Sequence, residues 1–92
     1  MISDRPLVGP QVLYCPDTVE KISNDQSVIV NWPQPVFSNN PRWINSNILR
    51  GSRFPVPSVN MVIYTASDEY GHTAECRFIV KLKSKHRKNQ LK

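Results

Sequence analysis

Few side chains in this 92-residue sequence are of the kinds that do covalent or metal chemistry. The two histidines are His72, beside Gly71, and His86, in a run of lysines and arginines. Neither sits in an HxH or HExxH spacing that would aim two imidazoles at one ion. Asp68 and Glu69 are adjacent, so on an extended backbone they point to opposite sides and cannot form a prearranged acid and base. Asp68 is expected instead to accept a hydrogen bond from the backbone of Tyr70 and hold a reversal. Asp4, Asp17, Glu20 and Asp25 are scattered outside any calcium-loop register. There is no G-x-S-x-G elbow and no phosphate-cradling glycine loop, the glycines being Gly9, Gly51 and Gly71. No catalytic residue, metal ligand or cofactor is therefore expected, and the chain reads as a non-enzyme.

The remaining reactive groups are Cys15 and Cys76. No CxxC occurs, so neither a redox motif nor a zinc knuckle is suggested. Paired, the two cysteines would close a loop of about 60 residues, worth roughly 4 kcal/mol on a chain-entropy estimate. The whole net stability of a small domain is only about 5 kcal/mol or somewhat more. Two separate reduced thiols, buried as small hydrophobes, are the other arrangement the residues allow.

The formal charge of +5 is unevenly placed. Residues 1–82 hold seven Lys/Arg and seven Asp/Glu, whereas residues 83–92 hold Lys83, Lys85, Arg87, Lys88 and Lys92 with no acid. The tail reads as a link to a following module. The competing reading is a polyanion site for heparan sulfate or another sulfated glycan, attracted by simple electrostatics and helped by Arg50 and Arg53 on connections between strands. Trp43, beside Arg42, either covers one end of the fold or anchors a protein partner, since interface hot spots favour tryptophan and arginine. Nucleic acid is not an expected partner, because neither a recognition helix nor an aromatic strand face accompanies the charge. No apolar run is long enough to insert into a membrane. The opening MISDRPLVGP lacks the apolar stretch of a signal peptide.

The elements that must carry these residues are strands. Eight prolines fall within residues 6–57, and no long window holds a 3.6-residue period free of breakers. Residues 1–10 read as an N-terminal linker. Gln11 to Cys15 is a short edge strand ended by Pro16. Residues 17–26 are polar and end in a turn cluster. Val28 to Trp32 is a strand with Val28, Val30 and Trp32 on one face. Residues 38–58 look least regular, with Arg50 to Arg53 loop-like and Phe54 to Pro57 polyproline-like. Val59 to Ser67 puts Val62, Tyr64 and Ala66 on one face. After a reversal at Asp68 to Gly71, a last strand from about Ala74 to Lys83 sends Cys76, Phe78, Val80 and Leu82 inward. This pattern predicts an all-β chain folded as a two-sheet antiparallel sandwich of about six or seven strands.

The same residues resemble the HYR (hyalin repeat) domain. Cys15-Pro16 is similar to that family's start, Val30 to Pro35 to its V-x-W-x-x-P, and Gly51 to Pro55 to its G-x-x-F-P. The tract from Val62 to Val80 follows V-x-Y-x-A-x-D-x-x-G-N-x-A-x-C-x-F-x-V almost throughout. Three positions depart from the pattern: Pro57 stands where a glycine is usual, His72 where an asparagine is usual, and Asn39 where the middle turn usually has an acid.

The resemblance covers Cys15 to about Leu82 and implies an immunoglobulin-like sandwich closed by a Cys15–Cys76 disulfide. With the strand reading it divides the chain into a sandwich over residues 11–83 and a basic flexible tail or linker over residues 84–92. It also implies an extracellular compartment, secreted or at the cell surface. The expected role is adhesion, protein interaction or spacing within a multi-domain protein, in which sushi repeats are frequent neighbours. The expected partners are other extracellular proteins or adjoining modules. The isolated domain is expected to be monomeric, and the chain to be a portion of a longer protein.

Overall fold

A computed structural model describes residues 9–85. Eight strands are found there: β1 (Val12–Tyr14), β2 (Val19–Ser23), β3 (Ser27–Val30), β4 (Val36–Phe37), β5 (Trp43–Ser46), β6 (Ser52–Pro55), β7 (Ser58–Ser67) and β8 (Thr73–Ser84). They pair as a four-stranded sheet in the order β2-β8-β7-β5, a ribbon of β3 with β6, and a ribbon of β1 with β4. The result is the expected immunoglobulin-like sandwich, with eight strands among the described residues where six or seven were expected, and with one sheet and two ribbons in place of two sheets.

The alternation read in β7 and β8 fixes the core. Val62, Tyr64, Ala66, Cys76, Phe78, Val80 and Leu82 are all buried on one face. The antiparallel register sets Tyr64 opposite Cys76 and Val62 opposite Phe78. Val30 and Phe54 close the core from the β3–β6 ribbon, where Val28 opposes Phe54. Trp32 lies just past β3 in the middle of this core, 5.4 Å from the Phe78 ring in an edge contact. The cysteines are joined, with Cα atoms 5.6 Å apart, tying the segment after β1 to β8.

Three local expectations are corrected. Residues 19–23, read as polar connection, form β2 and run parallel to β8, with Val19 opposite Val80 and Lys21 opposite Leu82. The sandwich is therefore antiparallel except at this pair. Arg53 and Phe54 are not in a loop or a polyproline stretch. They lie on β6, because burying Phe54 against the core requires the flanking backbone to pair with β3. Pro55, the last residue of β6, sits where a missing ladder donor costs least. Finally, Val36 and Phe37 add a short β4 immediately after Pro35, paired with β1.

Strand register defines two ends. At the upper end Trp43, Ser67 and Thr73 lie side by side. At the lower end Ser58 opposes Leu82, and Ser23 opposes Ser84.

Candidate functional site

The upper end is built on the reversal between β7 and β8. Asp68 Oδ1 accepts the backbone N–H groups of Tyr70 and His72, each at 2.9 Å. Its Oδ2 lies 2.9 Å from His72 Nδ1. Gly71 takes φ +92°, which side-chain-bearing residues rarely adopt. Burial pushes the Asp68 carboxyl up, but the side-chain bond with His72 and the two backbone N–H donors outweigh it, so the group titrates below its ordinary value. Asp68 thus holds the turn, as the sequence suggested. The sequence reading missed His72 as its partner. Its signal was the i, i+4 spacing across a tight turn, where an imidazole can reach back to the turn's own carboxylate.

Beside this turn is a cleft of about 900 Å³ lined by Asn39, Asn40, Arg42, Trp43, Glu69 and Tyr70. Asn39 and Asn40 both have positive φ, at 63° and 46°. Trp43 is 48% exposed. The Arg42 guanidinium stands 5.4 Å from the centre of its ring and 3.8 Å from the Glu69 carboxylate. Gly9 is pinned to the same end, since Asn39 Nδ2 donates to its carbonyl at 2.7 Å.

At the lower end, Lys83 is part of β8 and its Nζ lies 3.0 Å from Glu20. The hydrogen bond from Lys83, then its charge, holds the Glu20 carboxyl below the ordinary range. The Lys85 backbone N–H donates to the Ser23 carbonyl at 2.9 Å. Arg53 Nη1 donates to the Ser27 hydroxyl at 3.2 Å. Arg53 and Lys85 therefore hold opposite ends of the same Ser23–Ser27 turn. Arg87 and Lys88 lie outside the described residues. Arg50 is not with them: its Nε donates to the Trp32 carbonyl at 2.7 Å, beside a second groove between Leu49 and β5. Trp43, Arg50 and the lower-end cations thus occupy three separate places, not one patch. Among the described residues, no group of three His, Cys, Asp or Glu side chains could hold a metal ion.

Comparison with known protein families matches the HYR domain over residues 7–82. No curated protein and no solved structure matches the chain. The matched span contains the disulfide, the core stripe of β7 and β8, and the Asp68 turn. HYR domains are extracellular modules of multidomain, adhesion-type proteins and are non-catalytic. On its sequence span and its disulfide-closed sandwich, the chain belongs to the HYR domain family.

Proposed function

We propose that this module is a non-catalytic spacer and interaction unit of a secreted or cell-surface protein, setting a fixed distance between its neighbours. One observation carries the reading. Gly9 is fastened to the upper end through Asn39, while Lys85 is fastened to the lower end through Ser23. Chain therefore enters at one end and leaves at the other. The twelve residues of β8 run between those ends, a rise of roughly 35–40 Å at about 3.3 Å per residue. Spectroscopic labels at Glu69 and Lys85 test this by distance measurement. A single narrow distribution near 35–45 Å, about the strand rise plus label length, is expected. A broad or much shorter one overturns it.

A second reading, polyanion binding, is favoured by one arrangement: Arg53 and Lys85, the latter just before the basic run 86–92 in sequence, both bond to the Ser23–Ser27 turn. Arg50 has no part in it. The test is heparin-column retention of the intact chain against a form ending at Lys85, which keeps β8 whole. Retention that is steeply salt-dependent and lost on deletion supports it. Equal elution rejects it.

A further inference from the structure

β5 ends the four-stranded sheet, and among the described residues no strand pairs with its outer edge. The Ile63 and Ser67 carbonyls of β7 face β5, accepting the N–H groups of Asn47 at 3.2 Å and Arg42 at 2.8 Å. Backbone groups in an antiparallel strand turn alternately to its two sides. Positions 43 and 45 therefore serve β7, and the N–H and C=O of Ile44 and Ser46 face outward. Exposed edges are ordinarily guarded by charges or proline. At the opposite edge of the same sheet, β2 carries Glu20 and Lys21, with Glu20 paired to Lys83. The β5 sequence Trp-Ile-Asn-Ser has neither guard.

Alongside that edge runs a groove of about 560 Å³ lined by Gln34, Ile44, Ser46, Leu49, Arg50 and Tyr64. Ile44 is 46% exposed and Leu49 is 72% exposed. The bond from Nε to the Trp32 carbonyl orients the Arg50 guanidinium, and its Nη nitrogens have no partner among the described residues. No carboxylate lines the groove. More broadly, residues 26–67 contain three arginines and no acid or lysine.

We propose that the outer edge of β5 is a strand-addition site for an extended segment of a partner protein that carries a carboxylate. The segment hydrogen-bonds to the outward backbone groups of Ile44 and Ser46. One of its apolar side chains lies on Ile44 and Leu49, and its carboxylate meets the Arg50 fork, the geometry in which guanidinium pairs best. A second copy of this edge does not fit, because it would bring Arg42 and another Arg50 and no acid. This proposal rests on the interaction role argued above and names the surface that performs it.

The probe is a displayed library of random linear peptides, panned on the intact 92-residue chain. Enriched peptides should carry an acid within an alternating β-branched run. They should shift and protect the amides of Ile44 and Ser46, and lose affinity roughly tenfold or more on Arg50→Gln, as expected for removing one partner of a charge pair. Arg53→Gln should leave binding unchanged. Ser46→Pro removes one outward donor without touching β7 and should abolish binding; if it fails to fold, Arg50→Gln still decides. Enrichment of peptides without acids, or binding indifferent to Arg50→Gln, overturns the proposal. So does concentration-dependent protection of Ile44 and Ser46 with no peptide present, which would assign the edge to a second copy. A library that yields no binder also overturns it but leaves the label distance untouched, so the spacer reading stands or falls separately.

Discussion

The indole Nε1 of Trp32 donates a hydrogen bond to the hydroxyl of Tyr64, 3.0 Å away inside the core. Both side chains are otherwise enclosed by apolar surface, with Trp32 edge-on to Phe54 and Phe78 and Tyr64 stacked on Phe78. The bond satisfies the polar tips of two large rings that come from opposite layers, so it fixes how the β3 side meets β7. Tyr64→Phe leaves the indole N–H buried without an acceptor. It is expected to lower stability by about 1–3 kcal/mol, read from urea unfolding. Trp32→Phe with Tyr64→Phe should cost less than the sum of the single changes, since each removes the other's partner. Strict additivity would show that the bond contributes nothing.

The disulfide spans 61 positions of sequence. Cross-linking so long a loop restricts the unfolded chain strongly, and Cys76 also packs in the core. Cys15→Ser is expected to cost roughly 2–5 kcal/mol, seen as a lower melting temperature under oxidising conditions. Adding reductant should lower the wild type towards the variant. Equal melting of the two without reductant would contradict the prediction.

How much of this was legible in the sequence depended on whether a residue's environment is set locally. β7 and β8 were readable because their inward sets, Val62-Tyr64-Ala66 and Cys76-Phe78-Val80-Leu82, alternate without interruption and are buried in full. β2 was not, because its pairing with β8 links residues some sixty positions apart and only Val19 packs on the core. Gly51 made residues 50–53 look like loop, and Pro55 and Pro57 made residues 54–57 look polyproline-like, although Phe54 needed a strand to reach the interior. The turn role of Asp68 was visible as local chemistry. The placement of Arg50 was not, since its anchor is the carbonyl of Trp32, eighteen positions away.

Asp68 makes the stability depend on acid. Its carboxyl titrates below its ordinary value of 3.8, because the bonds from His72 and Tyr70 to the charged form outweigh burial. A carboxyl lowered by folding contributes stability that is fully present above the unfolded value and is lost as pH falls through the folded one. Glu20, lowered by Lys83, acts in the same direction. Melting temperature should therefore be flat from neutral pH down to about pH 5 and fall below about pH 4, where ordinary carboxyls protonate. Asp68→Asn keeps an acceptor for the turn but has no charge to lose. The gap between wild type and variant should narrow as the pH drops, and a gap constant from pH 7 to pH 2 would rule Asp68 out as its source.

Two glycines separate backbone strain from steric exclusion. Gly71 has φ +92° with nothing within 4 Å of a would-be Cβ, so Gly71→Ala costs only the unfavourable conformation, about 1–2 kcal/mol. Gly9 differs: an added Cβ would stand 2.1 Å from the Cβ of His72, an atom that side-chain rotation does not move and whose backbone is held by the Asp68 turn. The lead-in must move instead, breaking the Asn39 bond to the Gly9 carbonyl. Gly71→Ala should therefore lower the melting temperature of the whole domain. Gly9→Ala should leave it nearly unchanged while speeding hydrogen exchange and proteolysis around Pro10 and Gln11. If the module sets the spacing of its neighbours, this second variant should also loosen whatever precedes it, because the upper fastening is gone while the sandwich remains. A global loss of stability on Gly9→Ala would instead place that segment within the cooperative core.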